Sequence, residues 1–150
     1  MRVGLHGRLF TPLKFRTMRA DAESDGPRSA GVRDARVTRL GAYLRAMRID
    51  ELPQLLNVLR GEMSLIGPRP ERPHSVDQRA QAIPGHTQRA DMLPGITGWA
   101  QVNHRYGASV EDAHHKLGYD RYYLRHRSRR LDLWILAATV RVVMFRIGAR

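Results

Sequence analysis

The chain has 150 residues, an apolar content of 42% and no cysteine. This length is enough for one domain with a hydrophobic core, and the lack of cysteine excludes disulfides and cysteine-ligated zinc. The net charge is +12, and all but two of the 26 basic side chains are arginines, the exceptions being Lys14 and Lys116. Because arginine binds phosphate well, the charge indicates a polyanionic partner, although an arginine-rich genome would leave the same composition. No run of residues reaches the roughly 20 apolar residues of a membrane-spanning helix.

The N-terminal part predicts an extended segment followed by a loop. In residues 8–18 apolar and basic side chains alternate, which places Lys14 and Arg16 on one face of a strand. Residues 20–36 contain Gly, Pro, Ser and Asp with little periodicity, so they predict a loop.

Two helices are predicted next from apolar residues at helical spacing. The first follows Thr38, which is a suitable N-cap. Its apolar stripe consists of Leu40, Tyr43, Leu44 and Met47. The second begins near Asp50, with Pro53 in its first turn and Gly61 at its end. Its apolar stripe consists of Leu52, Leu55, Leu56 and Leu59.

The middle of the chain predicts short elements. Residues 63–70 predict a buried strand or turn, because an apolar run is stopped by Gly67 and two prolines. The prolines flank Arg69 and hold it on a stiff backbone. Residues 71–92 predict partly helical structure, and residues 94–102 predict a tight turn that enters a strand.

The C-terminal part predicts two capped helices. Ser109 and Asp112 form a capping-box pattern for a helix that runs to about residue 126, and Ser128 can cap a last helix over residues 130–146. The last helix has the apolar face Leu131, Trp134, Ile135, Ala138, Val142 and Phe145. Five arginines precede it: Arg121, Arg125, Arg127, Arg129 and Arg130. Such a helix either lies on an anionic bilayer or packs on the core behind a solvated basic neck, and the pattern favours neither.

Asp50 and Glu51 are the most informative residues for chemistry. Adjacent carboxylates at a helix start lie in the positive end of the helix dipole, and Arg45 and Arg48 lie just upstream. Both effects favour the ionised form that a nucleophile or a metal ligand needs. An acidic first turn is also a common stabilising feature, and from the residues alone this ordinary interpretation is preferred. Arg69 is either pre-organised for an anion or a surface arginine, with neither favoured.

Four segments in a fixed order resemble the bacterial sugar transferase family of monotopic phosphoglycosyl transferases. They are residues 14–18 (KFRTM), 34–41 (DARVTRLG), 50–70 (DELPQLLNVLRGEMSLIGPRP) and 94–102 (PGITGWAQV). Residues 106–150 resemble the branch found with exopolysaccharide and PEP-CTERM gene clusters. The resemblance covers nearly the whole chain, and its four ordered motifs are specific.

The resemblance implies a helix-dominated α/β catalytic domain over residues 1–150, with short strands and interfacial amphipathic helices. Its place would be the cytoplasmic face of the bacterial inner membrane, against an anionic membrane surface. Relatives usually carry a membrane-associated helix before the first motif, so an N-terminally truncated domain is expected.

The resemblance also implies a mechanism. Asp50 would attack the β-phosphorus of a UDP-sugar, release UMP and pass the phosphosugar to polyprenyl (undecaprenyl) phosphate, which initiates exopolysaccharide or glycoconjugate synthesis. Glu51 would hold Mg²⁺, which neutralises phosphate charge. The implied contacts to substrate or phosphate are Lys14, Arg16, Arg45, Arg69, Gln101 and Arg105.

Two alternatives stay open. A catalytically inactive fragment of such an enzyme would bind a membrane or a partner without releasing UMP. A basic nucleic-acid-binding module would suit the net charge, but the sequence has no helix-turn-helix signature and no aromatic-rich strand pair, so nucleic acid is not expected as a partner.

Overall fold

The computed structural model describes residues 1–22, 24, 34–104 and 109–145. Its strands are short: β1 (Arg2–Val3), β2 (Leu9–Phe10), β3 (Ser64–Ile66) and β4 (Gly95–Thr97). Its α-helices are α1 (Arg39–Ala46), α2 (Gln54–Leu59), α3 (Pro73–Ala82), α4 (Trp99–Asn103), α5 (Val110–His126) and α6 (Arg129–Met144). Within the described ranges, three 3-10 turns lie at Leu5–Gly7, Ile49–Glu51 and His86–Asp91. The predicted helix-dominated α/β fold is confirmed.

The strands form two small sheets. β1 pairs with β2 antiparallel, whereas β3 pairs with β4 in parallel and places Ile66 opposite Thr97. The loop after β3 and the start of β4 lie so close together that neither glycine there could carry a side chain. A Cβ on Gly67 would clash with the carbonyl of Leu93, and a Cβ on Gly95 would clash with the backbone of Gly67. Only glycine permits this approach. The loop that follows β3 is therefore locked against β4.

The core lies between these strands and the two long helices. α6 packs against β3, β4 and α4, and α4 also packs against α5. The main buried cluster is Ile66, Met92, Tyr123 and Ile135, with Trp99, Val102, Leu124 and Leu131 packed against it. A second cluster consists of Ile83, Ala113 and Leu117.

The predicted N-caps of three helices and the predicted end of α2 are confirmed. The side chains of Thr38 and Ser128 each accept a backbone N–H three residues on, at 2.9 and 3.3 Å. Ser109 and Asp112 form the predicted capping box, in which each side chain accepts the backbone N–H of the other residue. Gly61 follows the end of α2 with a φ of 73°, in the left-handed region where glycine is favoured.

The last helix uses its two sides differently. Ile135 is fully buried and Leu131 packs on the core. The opposite side is apolar but exposed and consists of Leu133, Leu136, Val140 and Met144, and two residues of the predicted apolar face, Trp134 and Phe145, are exposed as well. The core-packing interpretation is confirmed for one face, and the exposed face is a surface of the kind that binds partners.

Two sequence predictions are wrong in part. The strand expected within residues 94–102 ends at Thr97 and is followed by α4, because Trp99 and Val102, one helical turn apart, both pack on the core. The extended segment over residues 8–18 is a strand only at Leu9–Phe10, since its later backbone bonds to α2 and to the turn before α2. Most of the loop predicted for residues 20–36 lies outside the described residues.

α2 buries its polar residues and exposes its apolar ones. Gln54 is 3% exposed and Asn57 is fully buried. The exposed residues of the predicted apolar stripe are Leu52, Leu55, Leu56 and Leu59. An exposed apolar face of this kind marks an interaction surface. None of the described helices combines the length and apolar character needed to cross a membrane.

A candidate active site at two adjacent carboxylates

Asp50 and Glu51 lie in the buried 3-10 turn between α1 and α2. They are 8% and 6% exposed. Arg48 enters the turn with a φ of 56°, a left-handed conformation that non-glycine residues rarely adopt and that clusters at functional sites. The sequence predicted that the carboxylates occupy the first turn of the second helix. This is wrong, because α2 starts only after its N-cap Pro53 and the carboxylates precede it by one short turn.

Three cations from different parts of the chain surround Glu51. Lys14 Nζ and Arg69 Nη2 both donate to Glu51 Oε1, at 2.7 and 2.8 Å. Glu51 Oε2 is held more loosely, with Arg69 Nη1 at 3.5 Å and Arg48 Nη1 at 3.9 Å. Burial raises the pKa of Glu51, but the charges of Arg69 and Lys14 outweigh this effect and hold that pKa well below its usual range. Glu51 is therefore ionised at neutral pH, as predicted.

Asp50 behaves differently from its neighbour. Burial and the negative charge of Glu51 raise the pKa of Asp50, against the opposing charges of Lys14, Arg45 and Arg48. The expectation that both carboxyl groups are shifted toward the ionised form is thus wrong for Asp50, because desolvation dominates there. Asp50 Oδ1 is buried and has no hydrogen-bond partner in the described part of the chain. This oxygen is poorly solvated and unpaired, as suits a nucleophile.

A buried asparagine on α2 places the segment that carries Lys14. The Asn57 carboxamide accepts from Leu13 N at 2.9 Å through Oδ1, and its Nδ2 donates to Thr11 O at 3.0 Å and to Glu62 Oε2 at 2.6 Å. Sequence reasoning missed this residue. The sequence feature that could have identified Asn57 is a lone asparagine among the leucines of α2. Because α2 faces the interior with its polar side, this asparagine is buried.

Of the two other basic residues predicted to contact phosphate in this region, Arg45 acts on Asp50 through its charge and Arg16 does not. Arg45 Nε donates to Thr17 Oγ1 at 2.8 Å, and the charge of Arg45 lowers the pKa of Asp50. Arg16 is exposed, and among the described residues it makes no hydrogen bond or ion pair to either carboxylate. The prediction that it shares a face with Lys14 assumed a strand that does not form there.

Another predicted contact, Gln101, makes no hydrogen bond to these carboxylates or cations in the described part of the chain. Gln101 sits on α4, its amide lies against Gly98, and neither Oε1 nor Nε2 has a hydrogen-bond partner within the part of the chain that the structure describes. Buried amides are usually bonded, so Gln101 is a candidate contact for a ligand or a water molecule. Arg105 lies outside the described residues.

The carboxylate pair fits one mode of Mg²⁺ binding. No group of three or more metal-binding side chains occurs among the residues described by the structure. Mg²⁺ often takes only one or two protein carboxylates, with phosphates and water as its remaining ligands. Asp50 Oδ1, which is unpaired, and Glu51 Oε2, which is loosely held, are oxygens of the required type.

A buried carboxylate beside a cluster of cations is an arrangement that can bind and stabilise phosphate groups. The chain belongs to the bacterial sugar transferase family, because the family model described as "Bacterial sugar transferase" matches residues 1–146. The resemblance drawn from the four motifs is confirmed, and the family is one of transferases.

Curated relatives agree with this assignment. The "UDP-N-acetylgalactosamine-undecaprenyl-phosphate N-acetylgalactosaminephosphotransferase" of Aeromonas hydrophila is 47% identical over 149 residues, which cover 99% of this chain and 35% of the relative. The "Uncharacterized sugar transferase EpsL" of Bacillus subtilis (strain 168) is 43% identical over 99% of this chain and 69% of its own length. The "UDP-glucose:undecaprenyl-phosphate glucose-1-phosphate transferase" of Caulobacter vibrioides is 46% identical over 93% of this chain and 53% of the relative. The chain thus spans about a third of the length of the Aeromonas relative.

Proposed function

We propose that this chain is the catalytic part of a phosphoglycosyl transferase that moves a phosphosugar from a UDP-sugar to a polyprenyl phosphate, at the start of exopolysaccharide or glycoconjugate synthesis. The observation that carries the proposal is the unpaired, buried Oδ1 of Asp50 beside the cations that hold Glu51. The names of the relatives from Aeromonas and Caulobacter, which contain a UDP-sugar and undecaprenyl phosphate, support it.

The proposed reaction has two steps on one phosphorus atom. A carboxylate oxygen of Asp50 attacks the β-phosphorus, the bond from that phosphorus to the bridging oxygen breaks, and the electron pair leaves with UMP. A phosphate oxygen of the polyprenyl phosphate then attacks the phosphorus of the resulting ester, and Asp50 leaves as a carboxylate. Splitting the transfer in this way replaces one difficult step with two easier ones.

The cations around the turn would stabilise charge on the phosphates. Lys14 and Arg69 are held by their shared contact with Glu51, the residue next to Asp50, so they are positioned before the substrate arrives. The planar guanidinium of Arg69 suits bidentate contact with a phosphate. Further proposed contacts to substrate are Arg16, Arg45, Gln101 and Arg105.

Glu51 is also the proposed ligand of Mg²⁺. Its Oε2 is the oxygen to which no cation is closely bonded, and Asp50 Oδ1 lies on the adjacent residue. When bound, Mg²⁺ would neutralise charge on the diphosphate. Lys14 and Arg69, on Oε1, would then keep their place and act on the same phosphates from the other side of the carboxylate.

We further propose that the chain works on the cytoplasmic face of the bacterial inner membrane. The exposed leucines of α2 and the exposed apolar side of α6 offer area for burial in a bilayer, and four exposed arginines before and at the start of α6 would meet anionic lipid headgroups: Arg125, Arg127, Arg129 and Arg130. Trp134, which is half exposed and packs on Trp99, is a residue type enriched at membrane interfaces.

The test is release of UMP from a panel of UDP-sugars, with Mg²⁺ and polyprenyl phosphate in detergent. The chain is compared with Asp50→Asn and with the matched control Asp77→Asn, which changes an exposed aspartate on α3. Intact-mass measurement after acid quenching, without polyprenyl phosphate, looks for the phosphosugar ester. We expect release and ester in the chain and the control, and neither in Asp50→Asn.

Other results decide between the alternatives. Undiminished turnover in Asp50→Asn would remove Asp50 as the nucleophile. Vesicle binding without UMP release from any UDP-sugar would instead support an inactive fragment that binds a membrane. The sugar is read from the panel, because the relatives' names specify both N-acetylgalactosamine and glucose.

A further inference from the structure

A buried arginine outside the carboxylate turn has all three guanidinium nitrogens in use. Arg89 lies in the 3-10 turn His86–Asp91, and its side chain is 11% exposed. Its Nε donates to Asp120 Oδ2 at 2.6 Å, its Nη1 pairs with Glu71 Oε1 at 2.5 Å, and its Nη2 donates to the backbone carbonyl of Arg69 at 3.1 Å. Three separate parts of the chain therefore converge on this one side chain.

The third bond leads directly to the candidate active site. The residue whose carbonyl Arg89 holds is the same residue whose guanidinium binds Glu51 Oε1 at 2.8 Å. Arg69 stands between Pro68 and Pro70, so its backbone has few conformations. Arg89 fixes the remaining freedom of this loop against Asp120, a residue of α5 that is 4% exposed.

We propose that Arg89 is a positioning residue for the transfer reaction. By holding the Arg69 carbonyl, it sets the direction in which the Arg69 guanidinium reaches Glu51 and the phosphates of the donor. The proposal rests on the proposed function, in which Arg69 contacts phosphate. Arg89 itself touches neither carboxylate of the turn, since its nitrogens are bonded to Asp120, Glu71 and the Arg69 carbonyl.

A purely structural role would also explain a buried ionic cluster. Removal of one partner from such a cluster destabilises a protein strongly, because it leaves a buried charge uncompensated. A simple loss of activity in an Arg89 variant would therefore not separate the two roles. To distinguish a positioning role from a structural role, the Arg89 variant must keep the positive charge. Its effect on activity must also be compared with its effect in a protein that already lacks the Arg69 side chain.

The first variant is Arg89→Lys, which keeps the positive charge but cannot span three acceptors with a compact ammonium group. We expect kcat/KM for the UDP-sugar to fall about tenfold, mostly through KM, as for loss of one charge-assisted contact. In an Arg69→Gln background, the same Arg89→Lys change should lower kcat/KM less than twofold. Equal losses in the two backgrounds would overturn the proposal, because independent effects multiply.

The matched control is Arg79→Lys. Arg79 Nη1 pairs with Glu71 Oε1 at 2.6 Å in the same cluster, but no described bond joins Arg79 to Arg69. We expect this variant to lower Tm and to leave kcat/KM within twofold of the parent. A tenfold loss in the control would show that the cluster acts only through general stability, which would overturn the positioning role.

A stability cycle keeps the proposal testable if the chain releases no UMP. Positioning predicts that the losses of Tm in Arg69→Gln and Arg89→Lys are not additive, because either change breaks the contact between Arg69 and Glu51. Additive losses would overturn the proposal even when the parent is inactive. Non-additive losses in an inactive parent would support the positioning of Arg69 by Arg89. The lack of UMP release would then count against the proposed function alone.

Discussion

Lys14 and Glu51 are 37 residues apart in the chain, yet the Lys14 ammonium lies 2.7 Å from Glu51 Oε1. The pair joins the N-terminal segment to the turn that carries the carboxylates, and both of its ends are fixed. Asn57 bonds to the backbone beside Lys14, and Arg69 shares the same oxygen of Glu51. Lys14 is therefore a partner of Glu51 and, through its charge, an influence on Asp50.

The first prediction concerns Lys14→Met, which keeps much of the side-chain volume but removes the charge. We expect kcat/KM for the UDP-sugar to fall roughly 10–100-fold, the scale of a lost charge-assisted hydrogen bond. Initial rates of UMP release measure the effect. Arg19→Met, which removes an exposed cation of the same segment, is the control and should retain the parent rate. An unchanged rate in Lys14→Met would contradict the role of this residue.

The second prediction concerns pH. In the proposed mechanism Asp50 loses its proton before it attacks, and its pKa is raised by burial and by Glu51, so kcat/KM should fall on acidification at a pH above the ordinary aspartate value. Arg45→Gln removes a charge that lowers this pKa, so the acidic limb should move to higher pH. Rates over the acid to neutral range give the limb. A limb at the same pH in both proteins would rule out this electrostatic role for Arg45.

The third prediction concerns stability. A carboxyl group whose folded-state pKa is raised disfavours folding once it is ionised, so its effect on stability worsens as pH rises from its unfolded to its folded pKa. Asp50→Asn removes that cost and should raise Tm at neutral pH. Thermal unfolding measures the shift, and a lower Tm would contradict the raised pKa of Asp50.

Glu51→Gln is the matched opposite of that variant. The pKa of Glu51 is lowered on folding, so its ionised form adds stability above the unfolded pKa, and this stability is lost as pH falls through the folded pKa. The substitution should therefore lower Tm at neutral pH, with a smaller effect in acid. If both variants shifted Tm in the same direction, the two carboxyl groups would not differ as described.

The fourth prediction concerns the exposed leucines of α2. Leu55 and Leu59 are 44% and 82% exposed, so changing both to Ser should alter Tm little. If this face enters a bilayer, each leucine contributes about 1.5–3 kcal/mol on full burial; scaled by the exposed fractions the pair contributes about 2–4 kcal/mol, and partition into vesicles should weaken roughly 30–900-fold. Co-sedimentation with phosphatidylglycerol–phosphatidylethanolamine vesicles measures this, with the exposed pair Gln78→Ser and Gln81→Ser as control. Equal partition of both double variants would exclude the face as a membrane contact.

Local signals in the sequence predicted much of the fold. The caps at Thr38, Ser109 and Ser128 depend on residues three positions apart, so they could be identified without tertiary information. The end of the strand at Thr97 could not, because the choice between strand and helix there depends on how Trp99 packs against distant residues. Helical periodicity found α2, yet it did not indicate that its polar side faces inward.

The candidate site was predicted as a set of residue types rather than as an arrangement. Motif order identified Asp50 and Glu51, and the structure brings Lys14 and Arg69 to them. The opposite pKa shifts of the two carboxyl groups depend on burial and on cations from remote segments, which sequence spacing does not contain. Arg89 was missed for the same reason, since its partners lie up to 31 residues away.

The inverted polarity of α2 has a consequence for how a water-insoluble acceptor would reach Asp50, the proposed nucleophile. Asp50 lies five residues before Leu55, so one short stretch of chain carries both the carboxylate and the exposed leucines. If the leucines enter a bilayer, the phosphate end of the acceptor needs to search only the plane of the headgroups. The encounter then becomes two-dimensional diffusion, and its rate depends on the acceptor's density in the leaflet rather than on its concentration in solution.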